Sequence, residues 1–225
     1  MTKAIAVFVC LHAALVAQTG SIQGAATDSK GKPLKGTFVT AVRGGLPPAS
    51  QSASTANDGS FKIQGLPAGT YSLCVQVPGD GYLDPCQWGG TPVKITLADG
   101  QTSTGNTLKV ADASVLVIRI DDPGKALGQH TKDGRNPHLL VGVWSGNGLF
   151  LPAHVASTDA AGTQYQVSIP RDAALKLHVS SRDLQVADAG GAAIAASTGE
   201  QQTFQHNTGD SNPKSFKYTI TGLVP

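Results

Sequence analysis

From Gly20 to Ala111 apolar and polar residues alternate in short runs, broken by turn residues at intervals of about ten, which is the pattern of an all-β sandwich or barrel. In "TYSLCVQVP" the alternation puts Tyr71, Leu73, Val75 and Val77 on one face and Thr70, Ser72, Cys74 and Gln76 on the other. The first face is the candidate core. "GSFKIQGL" turns Phe61 and Ile63 inward against Lys62 and Gln64, and "VKITLAD" turns Val93, Ile95 and Leu97 inward against Lys94 and Thr96. The intervening segments carry residues that tolerate positive φ or fix it with a ring: "DSKGKP", "NDGS", "LPAGT" and "ADGQ".

Period two continues in the second half. "ASVLVIRIDDPGKA" predicts a strand with apolar residues on both faces, cut by Pro123. "HLLVGVWSGNGLFLPAHVAS" predicts two strands around a Ser-Gly-Asn-Gly turn. Tyr165, Val167 and Ile169, then Leu175, Leu177 and Val179, then Phe216, Tyr218 and Ile220 form three further inward-facing sets. "DAGGAAIAAS" lacks a period and reads equally as a weak helix or an edge strand. No repeat of the first half's motif stands out. A second, divergent β-sandwich is expected, with one extended sandwich as the alternative.

The pair "GSIQGAATDSKGKPLKGTFVTAV" and "STANDGSFKIQGLPAGTYSLCV" resembles the carboxypeptidase regulatory-like domain. The matching positions are Gly24, Asp28, Gly31, Pro33, Leu34, Gly36 and Val39, then Asp58, Gly59, Phe61, Gly65, Leu66, Pro67, Gly69, Tyr71 and Leu73. The resemblance covers about residues 20–111 and implies a prealbumin-like sandwich of about seven strands, grouped with starch-binding-like, carbohydrate-binding-like folds. It implies an accessory or binding module and brings no catalytic residue. The expected class is therefore all-β: a seven-stranded prealbumin-like sandwich over 18–111, then a divergent β-sandwich over 112–225.

The first 17 residues change the setting. "MTKAIAVFVCLHAALVA" has a lysine, an apolar run too short to span a bilayer and a small residue at Ala17, which reads as a secretory signal peptide cleaved before Gln18. Val9 ahead of Cys10 argues against a lipid anchor. Secretion, the periplasm or the cell surface is the expected location, with no membrane insertion of the mature chain. Cleavage leaves Cys74 and Cys86 as an even pair in an oxidising compartment, where a disulfide is the default. Closing that loop would stabilise the fold by roughly 3 kcal/mol.

With 14% charged residues and a net charge of +2, the chain has no field or basic cluster to attract nucleic acid. Its five later histidines, His130, His138, His154, His178 and His206, lack paired spacing, and solvated or hydrogen-bonded surface positions are expected for them. Ser145 sits in a hairpin turn rather than in a nucleophile elbow. Asp121, Asp122 and Asp133 read as turn caps. No catalytic residue, metal or cofactor is expected, and the chain is read as non-enzymatic.

One functional candidate remains, in "GDGYLDPCQWGG". Tyr82 and Trp88, beside Asp80, Asp84 and Gln87, could stack and hydrogen-bond a sugar. Against this, Trp88 folded over the disulfide would make a small satellite core, and Trp144, in an apolar strand, is expected in the main core. The expected partner is an extracellular glycan or another secreted or cell-envelope protein.

Overall fold

The computed structural model describes residues 18–79, 81–88, 90–195 and 198–225. The proposed leader, residues 1–17, and the candidate ligand residue Asp80 lie outside the described residues. The first half holds β1 (Gly20–Thr27), β2 (Phe38–Arg43), β3 (Ala49–Ser54), β4 (Ser60–Leu66), β5 (Gly69–Gln76), β6 (Tyr82–Leu83), β7 (Val93–Leu97), β8 (Thr102–Lys109) and β9 (Ala111–Asp112). A three-stranded sheet, β4-β1-β8, faces a four-stranded sheet, β3-β2-β5-β7, so seven strands form the sandwich. Alternation closes it: Tyr71, Leu73, Val75, Phe61 and Ile63 meet Ile22, Val39 and Leu108 in one buried cluster. Val93 departs from the expected inward set. It starts β7, where the strand enters the sheet, and is 38% exposed.

The second half holds β10 (Ser114–Asp121), β11 (Leu140–Trp144), β12 (Phe150–Pro152), β13 (His154–Thr158), β14 (Gly162–Ile169), β15 (Ala174–Ser180), β16 (Leu184–Asp188), β17 (Ala193–Ile194), β18 (Thr203–Gln205) and β19 (Lys214–Leu223). A six-stranded sheet, β13-β14-β10-β19-β16-β17, faces a four-stranded one, β12-β11-β15-β18. Their inner faces form a separate cluster that contains Leu116, Ile118, Ile120, Val141, Val143, Leu175, Leu177 and Val179. The "DAGGAAIAAS" segment contributes β17, the edge-strand alternative. The only helical element among the described residues is a 3-10 turn, Ala126–Gly128.

The two sandwiches share one topology. The orders β4-β1-β8 and β3-β2-β5-β7 recur as β14-β10-β19 and β12-β11-β15-β18, with the strands in the same chain order. In each, the first strand pairs in parallel with the last. The additions are the edge strand β13 and the hairpin β16-β17. That hairpin enters between β15 and β18, where the first sandwich inserts its cysteine loop between β5 and β7. A buried aspartate follows each first strand and accepts two backbone N–H groups: Asp28 from Lys30 and Lys32, Asp122 from Ala126 and Leu127. Superposed by topology, Phe61, Ile63, Leu66-Pro67, Leu73 and Val75 correspond to Tyr165, Val167, Ile169-Pro170, Leu177 and Val179. Cys74 then corresponds to His178.

The repeat that sequence reading did not find is therefore present in the fold. Its loops differ in length, and Gly65, which takes φ +73° in β4, has no counterpart in β14. The register of the motif is lost at that point.

Candidate functional site

Cys74 and Cys86 are joined in a disulfide, as expected from their count and compartment. Cys74 stands on the outward face of β5, so the bridge draws residues 75–86 back across the sheet. Asp84 organises the turn. Its buried carboxylate accepts hydrogen bonds from the N–H groups of Cys86 (2.9 Å) and Val75 (3.4 Å), and its carbonyl accepts from Gln87 (3.0 Å) and Trp88 (3.2 Å). Val75 lies beyond the end of the β5-β7 pairing, so the carboxylate replaces a missing strand partner there. Burial raises the Asp84 pKa, opposed by the hydrogen bonds from Cys86 and Val75.

The pinned loop then reaches beyond its own sandwich. β6 pairs with β9, Tyr82 opposite Asp112 and Leu83 opposite Ala111, which binds the loop to the segment connecting the sandwiches. Gly81 accepts from the Ala113 N–H at 2.7 Å and donates its own N–H to the Ser168 hydroxyl of β14 at 3.2 Å. Ser29 donates to Asp112 at 2.6 Å, a second tie on the connector. Trp88 is half-buried and packs against the hydrophobic cluster of the second sandwich, while Tyr82 packs against that of the first. Trp88 thus reaches the neighbouring sandwich.

The clasp leaves a cleft of about 380 Å³ between the sandwiches, lined by Tyr82, Asp84, Gln87, Trp88, Leu151 and His154 among others. It gathers the described members of the sequence-predicted set, Tyr82, Asp84 and Trp88. Both aromatic rings are partly committed to cores, and the Asp84 carboxylate is committed to backbone. The two cysteine sulfurs and Asp84 lie within 4.8 Å of one another, but the sulfurs are consumed by the bridge and are not free metal donors.

The other candidates are dispersed. Asp121 pairs with Lys217 (2.8 Å) and Arg119 (2.7 Å), which hold its carboxyl below the usual range. Asp122 caps its turn, and Asp133 pairs with Arg135. Ser145 donates within its own hairpin to Asn147 and to the Leu149 carbonyl. His130, His138 and His154 are exposed, in line with expectation. His178 and His206 depart from it: both are buried, and burial lowers both pKa values.

Trp144 also departs from expectation. It lies on the outer face of β11, half-buried, with its ring 5.0 Å from Phe150 and 6.1 Å, edge-on, from His178. Gly142 makes this possible, because a Cβ there would meet the Phe150 ring at 2.6 Å. His178 is covered by these two rings, and its Nε2 contacts the Ser180 hydroxyl at 2.9 Å. The alternation Val141, Val143 inward and Gly142, Trp144 outward was the available signal, hidden because both faces of β11 are apolar.

The family profile of the carboxypeptidase regulatory-like domain matches residues 21–111. The match spans the first sandwich. No curated protein matches the sequence. Among solved structures, the chain is similar to the Bacillus anthracis TIE protein (18% identity, 90% of this chain and 33% of that one, TM-score 0.35). It is also similar to a streptococcal ancillary pilin (13%, 90% and 62%, 0.42) and to the minor pilin of Streptococcus agalactiae (10%, 92% and 97%, 0.37). The chain spans a third of the first of these and under two thirds of the second. No described helix is long and apolar enough to cross a membrane.

Two predictions concern the disulfide-pinned loop of the first sandwich. Cys86→Ala should cost about 3 kcal/mol in urea unfolding and speed amide exchange over residues 78–92, while the strands stay protected. Two free thiols in the untreated protein would contradict the bridge. For Asp84, a raised folded pKa means the native state holds the proton more tightly, so its contribution to stability falls as pH rises above the unfolded value of 3.8. Asp84→Asn keeps the acceptor and removes the charge. Its melting temperature relative to wild type should therefore be higher at pH 7 than at pH 4, and the opposite trend would show that hydrogen bonding outweighs burial.

Proposed function

We propose that this chain is a non-enzymatic, extracytoplasmic interaction module in which two β-sandwiches are clasped into one unit that engages another secreted or cell-envelope protein. The observation that carries this reading is the clasp. A disulfide, a buried carboxylate and a tryptophan, three groups that could each do chemistry, are spent on fixing one sandwich against the next. Rigid presentation of outer sheet faces lowers the ordering cost of association. The disulfide and the proposed leader both favour an oxidising compartment, with residues 1–17 removed. The boundaries 18–111 and 112–225 are part of this proposal, and β9 within the connector is where the units join.

Carbohydrate recognition is the second reading. It is favoured by the cleft itself, where the Tyr82 and Trp88 rings stand beside Asp84, Gln87 and His154, with Asp80 proposed as a further contact.

Trp88→Ala separates the two. Loss of the Trp88 contact should split a single calorimetric transition into two and broaden the small-angle scattering profile, with the far-ultraviolet spectrum of the strands retained. An unchanged single transition and profile would remove the clasp from the argument. Polysaccharide pull-down by wild type that is lost in Trp88→Ala at unchanged strand content would favour the sugar reading. Binding to envelope proteins without polysaccharide retention would favour the first. Turnover of ester, peptide or glycoside substrates by the purified chain would overturn both.

A further inference from the structure

Among the described residues, the edge strands of the two sandwiches are guarded with one exception. An edge strand offers a row of unpaired N–H and C=O groups, and folded proteins block it with charge, proline, bulges or shortness. β4 carries Lys62 and the positive-φ Gly65, and β7 carries Lys94. β8 is interrupted near the positive-φ Gly105 and ends in Lys109. β13 has a register shift between Val155 and Ser157, and β12 is three residues long and ends at Pro152. β17 and β18 have two and three residues.

β3 has none of these devices. Its six residues, "ASQSAS", are uncharged and free of proline and glycine, and they pair with β2 in an unbroken register from Phe38–Ser54 to Arg43–Ala49.

The direction of the free groups follows from the ladder. Thr55 donates its N–H to the Thr37 carbonyl, so in an antiparallel pair the bonded positions toward β2 are Ala53, Gln51 and Ala49. The N–H and C=O groups of Ser50, Ser52 and Ser54 therefore point away from the sheet, and these three residues are exposed.

We infer that β3 is a self-association edge, and that its occupant is β3 of a second copy of this chain, antiparallel about a two-fold axis at Ser52. That register sets Ser52 opposite its mate and Ser50 opposite Ser54 of the second copy, so each of the three outward residues exchanges both backbone bonds. In this isologous contact Ser52 meets its own copy at the axis, and Ser50 and Ser54 meet each other. A charged strand would repel itself here, whereas serines tolerate the arrangement and can bond across it, as Thr40 and Ser52 already do at 2.8 Å. The two four-stranded sheets become one of eight strands. Across its outer face runs a row of Phe38, Ser54, then Ser50 and Val42 of the second copy. Phe38 and Val42 are 49% and 39% exposed in the single chain and flank the small serines on either side of the seam. This inference does not depend on the clasp or on any ligand of the cleft.

The test is the concentration dependence of mass for the full mature chain, by sedimentation equilibrium, with amide exchange read in parallel. Wild type should approach dimer mass in the micromolar range, with slowed exchange at Ser50, Ser52 and Ser54. Ser52→Lys sets two like charges at the axis and should weaken association by about tenfold or more, whereas Ser52→Ala should retain it. Both variants are surface changes and should keep the wild-type far-ultraviolet spectrum, and at concentrations where every form is monomeric they should keep its melting temperature. A wild type that stays monomeric throughout would overturn the inference. So would a dimer insensitive to Ser52→Lys, or one whose formation leaves these three amides in fast exchange.

Discussion

The arrangement of this chain depends on holding Trp88, carried by a loop of the first sandwich, against the hydrophobic core of the second. Neither core needs it to close: each sandwich buries its own inward set, and among the described residues no strand is shared between their sheets. What relates them is a loop whose position is fixed at Cys74 by a covalent bond and at Val75 by the Asp84 carboxylate. A loop fixed at one end only would lose much of its contact energy to conformational entropy. With both its ends bonded, and β6 paired to the connector, that entropy has already been given up before Trp88 meets the second sandwich. A modest aromatic contact can then set the relative placement of two domains.

The duplicated topology gives this device a context. Cys74 and His178 occupy equivalent positions on β5 and β15, each facing outward. In both sandwiches this outward position is covered, in the first by a disulfide-pinned insertion from the same sandwich, in the second by Trp144 and Phe150 folding over Gly142. The same backbone position thus carries polar chemistry under a lid in both units, by different means. The insertions also fall at the same place in the strand order, between the third and fourth strands of the four-stranded sheet as the chain visits them. One faces the junction and the other, β16-β17, extends the six-stranded sheet.

Much of the fold was legible in the sequence because period-two burial is local. Tyr71, Leu73 and Val75, or Leu175, Leu177 and Val179, needed only their neighbours to be assigned a face. The disulfide was legible from count and compartment. Trp144 was not, because Leu140 and Val141, Val143 and Trp144 give β11 two apolar faces and alternation then has no polar phase to lock onto. His178, between the inward Leu177 and Val179, faces outward as alternation requires, yet it is buried because its cover comes from β11 and β12. The destination of Trp88 depends on residues such as Leu151 and Val167, far away in sequence. The repeat was obscured by unequal loops: the capping aspartate stands three residues before the glycine in Asp28–Gly31 and two before it in Asp122–Gly124.

The clasp and the open edge of β3 impose opposite constraints on one sheet. At the β7 side of β5, the unpaired amide of Val75 is silenced by a carboxylate, and the loop bonded there covers the outward surface. On the β3 side, three unpaired residues are left with no charge, bulge or proline to protect them. Leaving one edge unguarded costs solubility unless something of matching chemistry occupies it, because the free groups recruit any extended chain. The serines keep that edge polar on its outer face, which disfavours indiscriminate apolar pairing, while Ala49 and Ala53 keep its inner face compatible with the core. A strand built this way selects for a short, neutral, small-residue partner, and the strand in the protein that best meets those conditions is β3 itself.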